Sequence, residues 1–214
     1  MRLIFATYNP GKMDEVRNLG QKYGIDVVSL TDVGAQVTFQ ETGDTFEANA
    51  RAKLAQAQAA LVSNAQDWVA AEDSGLMIDA LNGEPGVKTR RWIGREMTDE
   101  EIEAMILERL NGVPPAERTS HLKTVVAMGK AGQNPLIFEG DLSGMSLIAP
   151  DKDTAPIEGF PDARLFFISE IAKTYGQYVS NPQSTPDFHS HRAQAFIKAF
   201  RYLNDLASVT GQFE

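Results

Sequence analysis

Apolar residues recur along this chain at two alternating periods, and the points where one period gives way to the other mark its elements. Arg2 to Ala6 is a short apolar run closed by Asn9-Pro10-Gly11, after which Met13, Val16 and Leu19 fall at helical spacing. A strand, a tight loop and a helix are predicted in that order. Val27 to Leu30 predicts a second short strand. Thr45 to Val62 gives the clearest helix, because Phe46, Ala50, Leu54, Ala57 and Leu61 share one side and Thr45 is placed to cap it. Trp68 to Ala71 predicts a buried strand that stops at a polar turn, Glu72-Asp73-Ser74-Gly75, and Asp99 to Leu110 predicts another amphipathic helix.

From Ser120 to Ala149 the pattern changes to strict alternation, with Leu122, Val125 and Ala127, then Leu136 and Phe138, on either side of Gly132-Gln133-Asn134. That predicts antiparallel strands joined by turns. Pro150 to Asp162 reads as loop, Leu165 to Tyr175 as helix, Asn181 to Phe188 as loop, and Ser190 to Ala207 as a final helix. Strands and helices alternate early and hairpins follow, so the predicted class is α/β, with a mixed central sheet, flanking helices and a hairpin lobe. The 214 residues suffice for one domain, 1–214, built as two lobes, and not for two full-sized domains.

Composition narrows the functional classes. A net charge of -9 disfavours a nucleic-acid polymer or an anionic membrane surface as partner. The absence of cysteine excludes disulfides, thiol nucleophiles, thiolate zinc sites and iron-sulfur clusters. No apolar run approaches a membrane span and the N-terminal one is too short for a secretory signal, so a cytoplasmic location is expected.

Three polar constellations adjoin predicted strands or helix starts. Thr7-Tyr8-Asn9-Pro10-Gly11-Lys12 combines a glycine loop, free N–H groups at a helix start and a lysine charge, which suits a phosphate. Glu41-Thr42-Gly43-Asp44-Thr45 precedes a helix on which Asn49 and Lys53, four apart, are neighbours able to reach an anion. Glu72-Asp73-Ser74-Gly75 puts two adjacent carboxylates at the end of a buried strand, a costly arrangement unless a cation compensates them, and oxygen ligands of this kind suit Mg²⁺. Each motif alone also fits a plainer reading: a capped turn with a solvated lysine, a surface lysine beside a turn glutamate, or an Asx-turn. His189 and His191, two apart at a helix start, diverge and do not make a metal pair.

The strings ATYNPGK (Ala6 to Lys12), ETGDTFEANARAK (Glu41 to Lys53), AEDSGLMIDALNGEPGV (Ala71 to Val87) and SHR (Ser190 to Arg192) resemble the inosine triphosphate pyrophosphatase family, also called the Ham1 family. The resemblance spans essentially the whole chain. It implies a two-lobed α/β fold around a nucleotide cleft, a homodimer, and Mg²⁺-dependent hydrolysis of inosine, deoxyinosine and xanthosine triphosphates to monophosphate and pyrophosphate. Carried over by position, Thr7, Asn9, Gly11, Lys12, Asn49 and Lys53 would bind the triphosphate and Ser74 would contact substrate. Glu41, Glu72 and Asp73 would hold metal, Asp73 would also accept the proton, and Phe160, Asp162, His191 and Arg192 would face the base.

Two segments depart from the family. Gly159-Phe160-Pro161-Asp162-Ala163-Arg164 stands where the family has Phe-Gly-Tyr/Trp-Asp-Pro, and Thr185 to His189 replaces Glu-Lys-Asn, so the lysine for the purine's six-position oxygen has no counterpart. Rejection of a wrong base depends on such hydrogen bonds. Two alternatives therefore stay open: the same reaction on a different or modified nucleotide, and a nucleotide-binding protein without catalysis.

Overall fold

The computed structural model describes residues 1–61 and 66–210. Strand β1 (Arg2–Phe5) leads into helix α1 (Pro10–Lys22) through a loop that Asn9 ends, its side chain accepting the Lys12 N–H at 3.0 Å. Pro10 occupies the first turn, where a missing N–H costs nothing. Strand β2 (Asp26–Ser29) then returns parallel to β1. Gly20 makes this return possible: a Cβ there would lie 2.5 Å from Val27 Cγ2 and 2.8 Å from the Ile25 carbonyl oxygen.

Helix α2 (Phe46–Ala60) starts where the pattern placed it, with Thr45 Oγ1 accepting the Ala48 N–H at 3.0 Å and Phe46, Ala50, Leu54 and Ala57 buried. Its predicted last residue, Val62, lies outside the described residues. Strand β3 (Trp68–Ile78) pairs parallel to β1 and corrects one expectation, because it runs straight through Glu72-Asp73-Ser74-Gly75 instead of turning there. The carboxylates need not leave the sheet, since cations from the flanking helices meet them. Helix α3 (Asp99–Arg109) follows, begun by a reciprocal pair of bonds between Thr98 and Glu101.

Strands β4 (Thr119–Gly129) and β5 (Leu136–Ser146) are sheet neighbours, and the connection at 130–135 is too short for a parallel crossover. The predicted helix over Leu165 to Tyr175 is also corrected. In its place are β6 (Phe166–Ile168) and β7 (Lys173–Thr174), antiparallel to one another, and helix α4 (Tyr175–Ser180) begins only at Tyr175. Ala172, at φ 51°, breaks any helix before that point, and Phe166 and Ile168 are buried while Phe167 is half-exposed, a period of two. Helix α5 (His191–Thr210) closes the fold, with Ser190 Oγ accepting the Ala193 N–H at 3.0 Å.

The strand order is β2-β1-β3-β4-β5-β6-β7, with parallel pairs at the β2 edge and antiparallel pairs at the β7 edge. This is the mixed sheet expected of the sequence. Contacts divide the chain into two compact units, one of Met1–Asp73, Thr124–Gly140 and Ser190–Glu214, the other of Ser74–Lys123 and Asp141–His189. The first has its core between the sheet and helices α1 and α5, where Leu3, Phe5, Val16, Phe196 and Phe200 are inaccessible to solvent. The second packs Leu76, Ile78, Ile102, Ile106 and Phe166 around Tyr175. Among the described residues no helix is long and apolar enough to cross a membrane.

The Phe196 ring meets Phe5 edge-on at 5.0 Å. Phe196→Ala should therefore cost about 3–5 kcal/mol in urea unfolding, whereas a loss below about 1 kcal/mol would mean that α5 does not carry the first core.

Candidate active site

Consecutive residues of a strand point to opposite faces of the sheet, and this places Glu72 and Asp73 in different surroundings. On the side of α1 and α5, Glu72 Oε1 lies 2.8 Å from Lys12 Nζ, and Oε2 accepts a bond from Arg192 Nε at 2.8 Å. Arg192 Nη1 donates onward to Glu15 Oε2 at 2.9 Å, and Ser190 Oγ donates to the other Glu15 oxygen. On the side of α2, Asp73 Oδ1 is 3.0 Å from Lys53 Nζ and Oδ2 accepts from Asn49 Nδ2 at 2.9 Å. Lys53 Nζ also reaches Glu41 Oε1 at 2.6 Å and the Glu72 carbonyl at 3.2 Å, while Asn49 Oδ1 accepts the Gly43 N–H at 2.8 Å.

The electrostatics follow from who shares a partner with whom. Burial works to raise the Glu72 carboxyl, but Arg192 and Lys12 together outweigh it and hold the group well below the usual carboxylate range. For Asp73 burial prevails and raises its pKa, helped by the Glu41 charge and only partly opposed by Lys53 and Asn49. Lys53 is buried as well, yet it attracts two carboxylates, and its pKa rises. Both values rise, with opposite effects on charge: burial disfavours the Asp73 carboxylate beyond what Lys53 and Asn49 restore, whereas two carboxylates outweigh burial and favour the Lys53 ammonium. Burial lowers Lys12, with Arg192 and Lys53 repelling its charge and Glu72 favouring it.

The structure thus brings together most of the residues the sequence singled out. Thr7 Oγ1 accepts the Asn9 N–H at 3.2 Å, Asn9 caps α1, and Gly11 and Lys12 lie in the first turn of that helix, where backbone N–H groups lack helical partners. Asn49 and Lys53 sit one turn apart on α2, as predicted. Ser74, Phe160 and Asp162 fall in the other unit. Phe160 is only 8% exposed and belongs to that unit's apolar core beside Tyr175, and the Asp162 carbonyl accepts the Leu165 and Phe166 N–H groups at 2.9 Å.

Three placements bear on the expected roles. Glu72 is bonded to Lys12 and Arg192 while Glu41 and Asp73 are bonded to Lys53, and among the described residues no group of three acidic or histidine side chains is arranged to hold a metal ion. Glu72 points away from the other two because it is adjacent to Asp73 on a strand. Arg192, implied as a base contact, is 1% exposed and directs its bonds at Glu72 and Glu15. His191 is buried beside it rather than presented at a surface. The pair that can share a hard cation is Glu41 with Asp73, since both already converge on the Lys53 ammonium group. Glu15 escaped the sequence reading. It lies one turn beyond Lys12 on α1, but its partners Ser190 and Arg192 are 175 and 177 residues distant.

A model of the family described as the Ham1 family matches residues 3–202. The chain belongs to that family. It is 32% identical over 203 residues to the dITP/XTP pyrophosphatase of Thermoanaerobacter sp. (strain X514), covering 95% of this chain and 96% of that protein. It is 34% identical over 200 residues to the dITP/XTP pyrophosphatase of Bacillus subtilis (strain 168), covering 94% and 96%. Among solved structures, the Ham1 protein of Staphylococcus aureus superimposes with a TM-score of 0.73 at 26% identity, covering 96% of this chain and 99% of that one. A HAM1 protein from Coxiella burnetii gives 0.76 at 27% identity over the same shares. These Ham1 structures confirm the α/β class expected from the residues.

Acid stability should report the buried charges. Burial, followed by the Arg192 and Lys12 charges, holds the His191 imidazole well below its ordinary value despite the pull of Glu72. A depressed folded value means that the contribution is complete above the unfolded pKa of about 6.5 and is lost as pH falls from there. Unfolding free energy, measured in urea at successive pH values, should decline below about pH 6.5 with a slope approaching about 1.4 kcal/mol per pH unit. His191→Gln should flatten that segment and leave the further loss below about pH 4.3 that Glu72 causes. An unchanged slope in the variant would show that His191 is not the group responsible.

Proposed function

We propose that this chain hydrolyses nucleoside triphosphates of deaminated purines, dITP, ITP and XTP, to the monophosphate and pyrophosphate, removing them from the nucleotide pool. Its relatives are named dITP/XTP pyrophosphatases, and the observation that carries the reading to these residues is the pairing of Lys12 and Lys53 with consecutive carboxylates of β3, near enough for each lysine charge to act on the other. Two ammonium groups and the first turn of α1 supply a site for a polyanion, and Asp73 supplies a base.

On this reading the triphosphate takes its hydrogen bonds from the α1 N–H groups, Lys12 and Lys53, exchanging phosphate oxygens for the carboxylates that hold the lysines in the free protein. Lys53, raised by its two carboxylates, stays charged throughout the neutral range. Asp73 accepts the proton of the attacking water. The Asn49 bond to Oδ2 keeps the carboxylate oriented. Glu41 and Asp73 would hold a magnesium ion, which when bound supplies neutralisation of phosphate charge. Glu72 takes no part in that ligation and holds Lys12 in the free protein.

The reading extends to one functional domain, 1–214, working as a cytoplasmic homodimer, with neither nucleic acid nor membrane as partner. The departures at Phe160 to Arg164 and Thr185 to His189 favour a second reading, the same reaction on a different or modified base.

Pure protein incubated with Mg²⁺ and dITP, XTP, ITP or the four standard triphosphates should release pyrophosphate from the first three far faster than from the rest. Turnover confined to another nucleotide would support the second reading, and no turnover at all would remove both. Asp73→Asn should lower kcat by about 10²–10⁴-fold. Lys12→Met should raise KM by about 10–100-fold, the loss of one charged hydrogen bond, and an unchanged KM would exclude Lys12 from the phosphate site.

A further inference from the structure

The segment 36–43, which carries Glu41, joins neither the sheet nor a helix. Its backbone is held by side chains. Tyr8 Oη accepts the Val37 N–H at 2.7 Å, and the Tyr8 ring lies 6.0 Å from that of Phe39. Gln56 Oε1 accepts the Gln40 N–H at 2.8 Å while its Nε2 donates to the Gln40 carbonyl at 3.2 Å. Farther on, Asn49 takes the Gly43 N–H. Asn49, Lys53 and Gln56 lie on successive turns of α2, so a single helix face receives Gln40, Glu41 and Gly43.

Gln56 differs from the other tethers in holding both peptide groups of one residue. A single hydrogen bond leaves the chain free to rotate about it, whereas two bonds to the N–H and C=O of Gln40 fix the direction in which the next residue departs. That next residue is Glu41. Gln40 is exposed and Gln56 half-exposed, so water competes for these bonds and their contribution to global stability is small. Their effect is one of placement. We infer that Gln56 is a positioning residue for Glu41, orienting its carboxylate toward the point where it and Asp73 share a cation. The inference rests on the proposed role of that carboxylate pair.

Gln56→Met keeps length and helix preference and removes both bonds to Gln40, together with the one that Nε2 donates to the Ala52 carbonyl one turn back on α2 at 3.1 Å. Three readouts bear on it: hydrogen exchange at the Gln40 amide, Mn²⁺ binding to the nucleotide-free protein by electron paramagnetic resonance, and the Mg²⁺ activation constant of triphosphate hydrolysis. The variant should exchange the Gln40 amide at least about tenfold faster and raise both metal constants by about 10–100-fold, the usual cost of losing an outer partner of a ligand. kcat at saturating metal should stay within about threefold of wild type and the melting temperature within about 3 °C. Gln58→Ala, which removes only a bond to the Gly129 carbonyl, should move none of these constants. A Mn²⁺ constant unmoved in Gln56→Met, with or without a lower melting temperature, makes Gln56 merely structural and overturns the inference alone. A wild-type protein that binds no Mn²⁺ overturns the metal role of Glu41 and Asp73, and the inference with it.

Discussion

Two ionisable carboxylates follow one another in the interior of a strand, and the first unit is organised around that constraint. A strand turns Glu72 and Asp73 to opposite faces, so one cation cannot serve both, and each face must deliver its own. Helices α1 and α5 bring Lys12 and Arg192 to one, and α2 brings Lys53 to the other. Removing Lys53 would leave Asp73 a buried anion without a cation, which costs about 3–5 kcal/mol, whereas Glu72 keeps one cation if either Lys12 or Arg192 is lost. The packing of three helices and the placement of the charges are therefore one problem with one solution.

The same constraint separates the roles of the carboxylates. Glu72, gripped by two cations, is held ionised far below its usual range, which makes it a poor base and a rigid anchor. Asp73, whose burial outweighs its shared lysine and its amide, is pushed upward. Adjacent acids thus acquire different chemistry from the sheet alone, without any difference in side-chain type beyond one methylene.

Much of this was legible in the residues. The loop at Asn9-Pro10-Gly11, the Thr45 cap and the Asn49/Lys53 face of α2 follow from local rules, and the structure has them where the pattern put them. The course of β3 was not legible. Glu-Asp-Ser-Gly has the composition of a turn, and what keeps it in the sheet includes Arg192, 120 residues away from Glu72. The run from Leu165 to Tyr175 misled for a different reason, since a short apolar stretch satisfies both periods and only the left-handed Ala172 decides against a helix. The bond between Arg192 and Glu72 was equally out of reach, because no spacing reveals a pairing across 120 residues.

A simple tally of formal charge gives the cluster one last property. With all groups ionised, the four carboxylates of Glu15, Glu41, Glu72 and Asp73 stand against the three cations Lys12, Lys53 and Arg192, leaving a surplus of one negative charge. An incoming polyanion therefore meets no idle positive field. Beyond the first-turn N–H groups of α1, it gains attraction by taking over an ammonium group from an acid, and every acid so released is left seeking a counter-ion of its own.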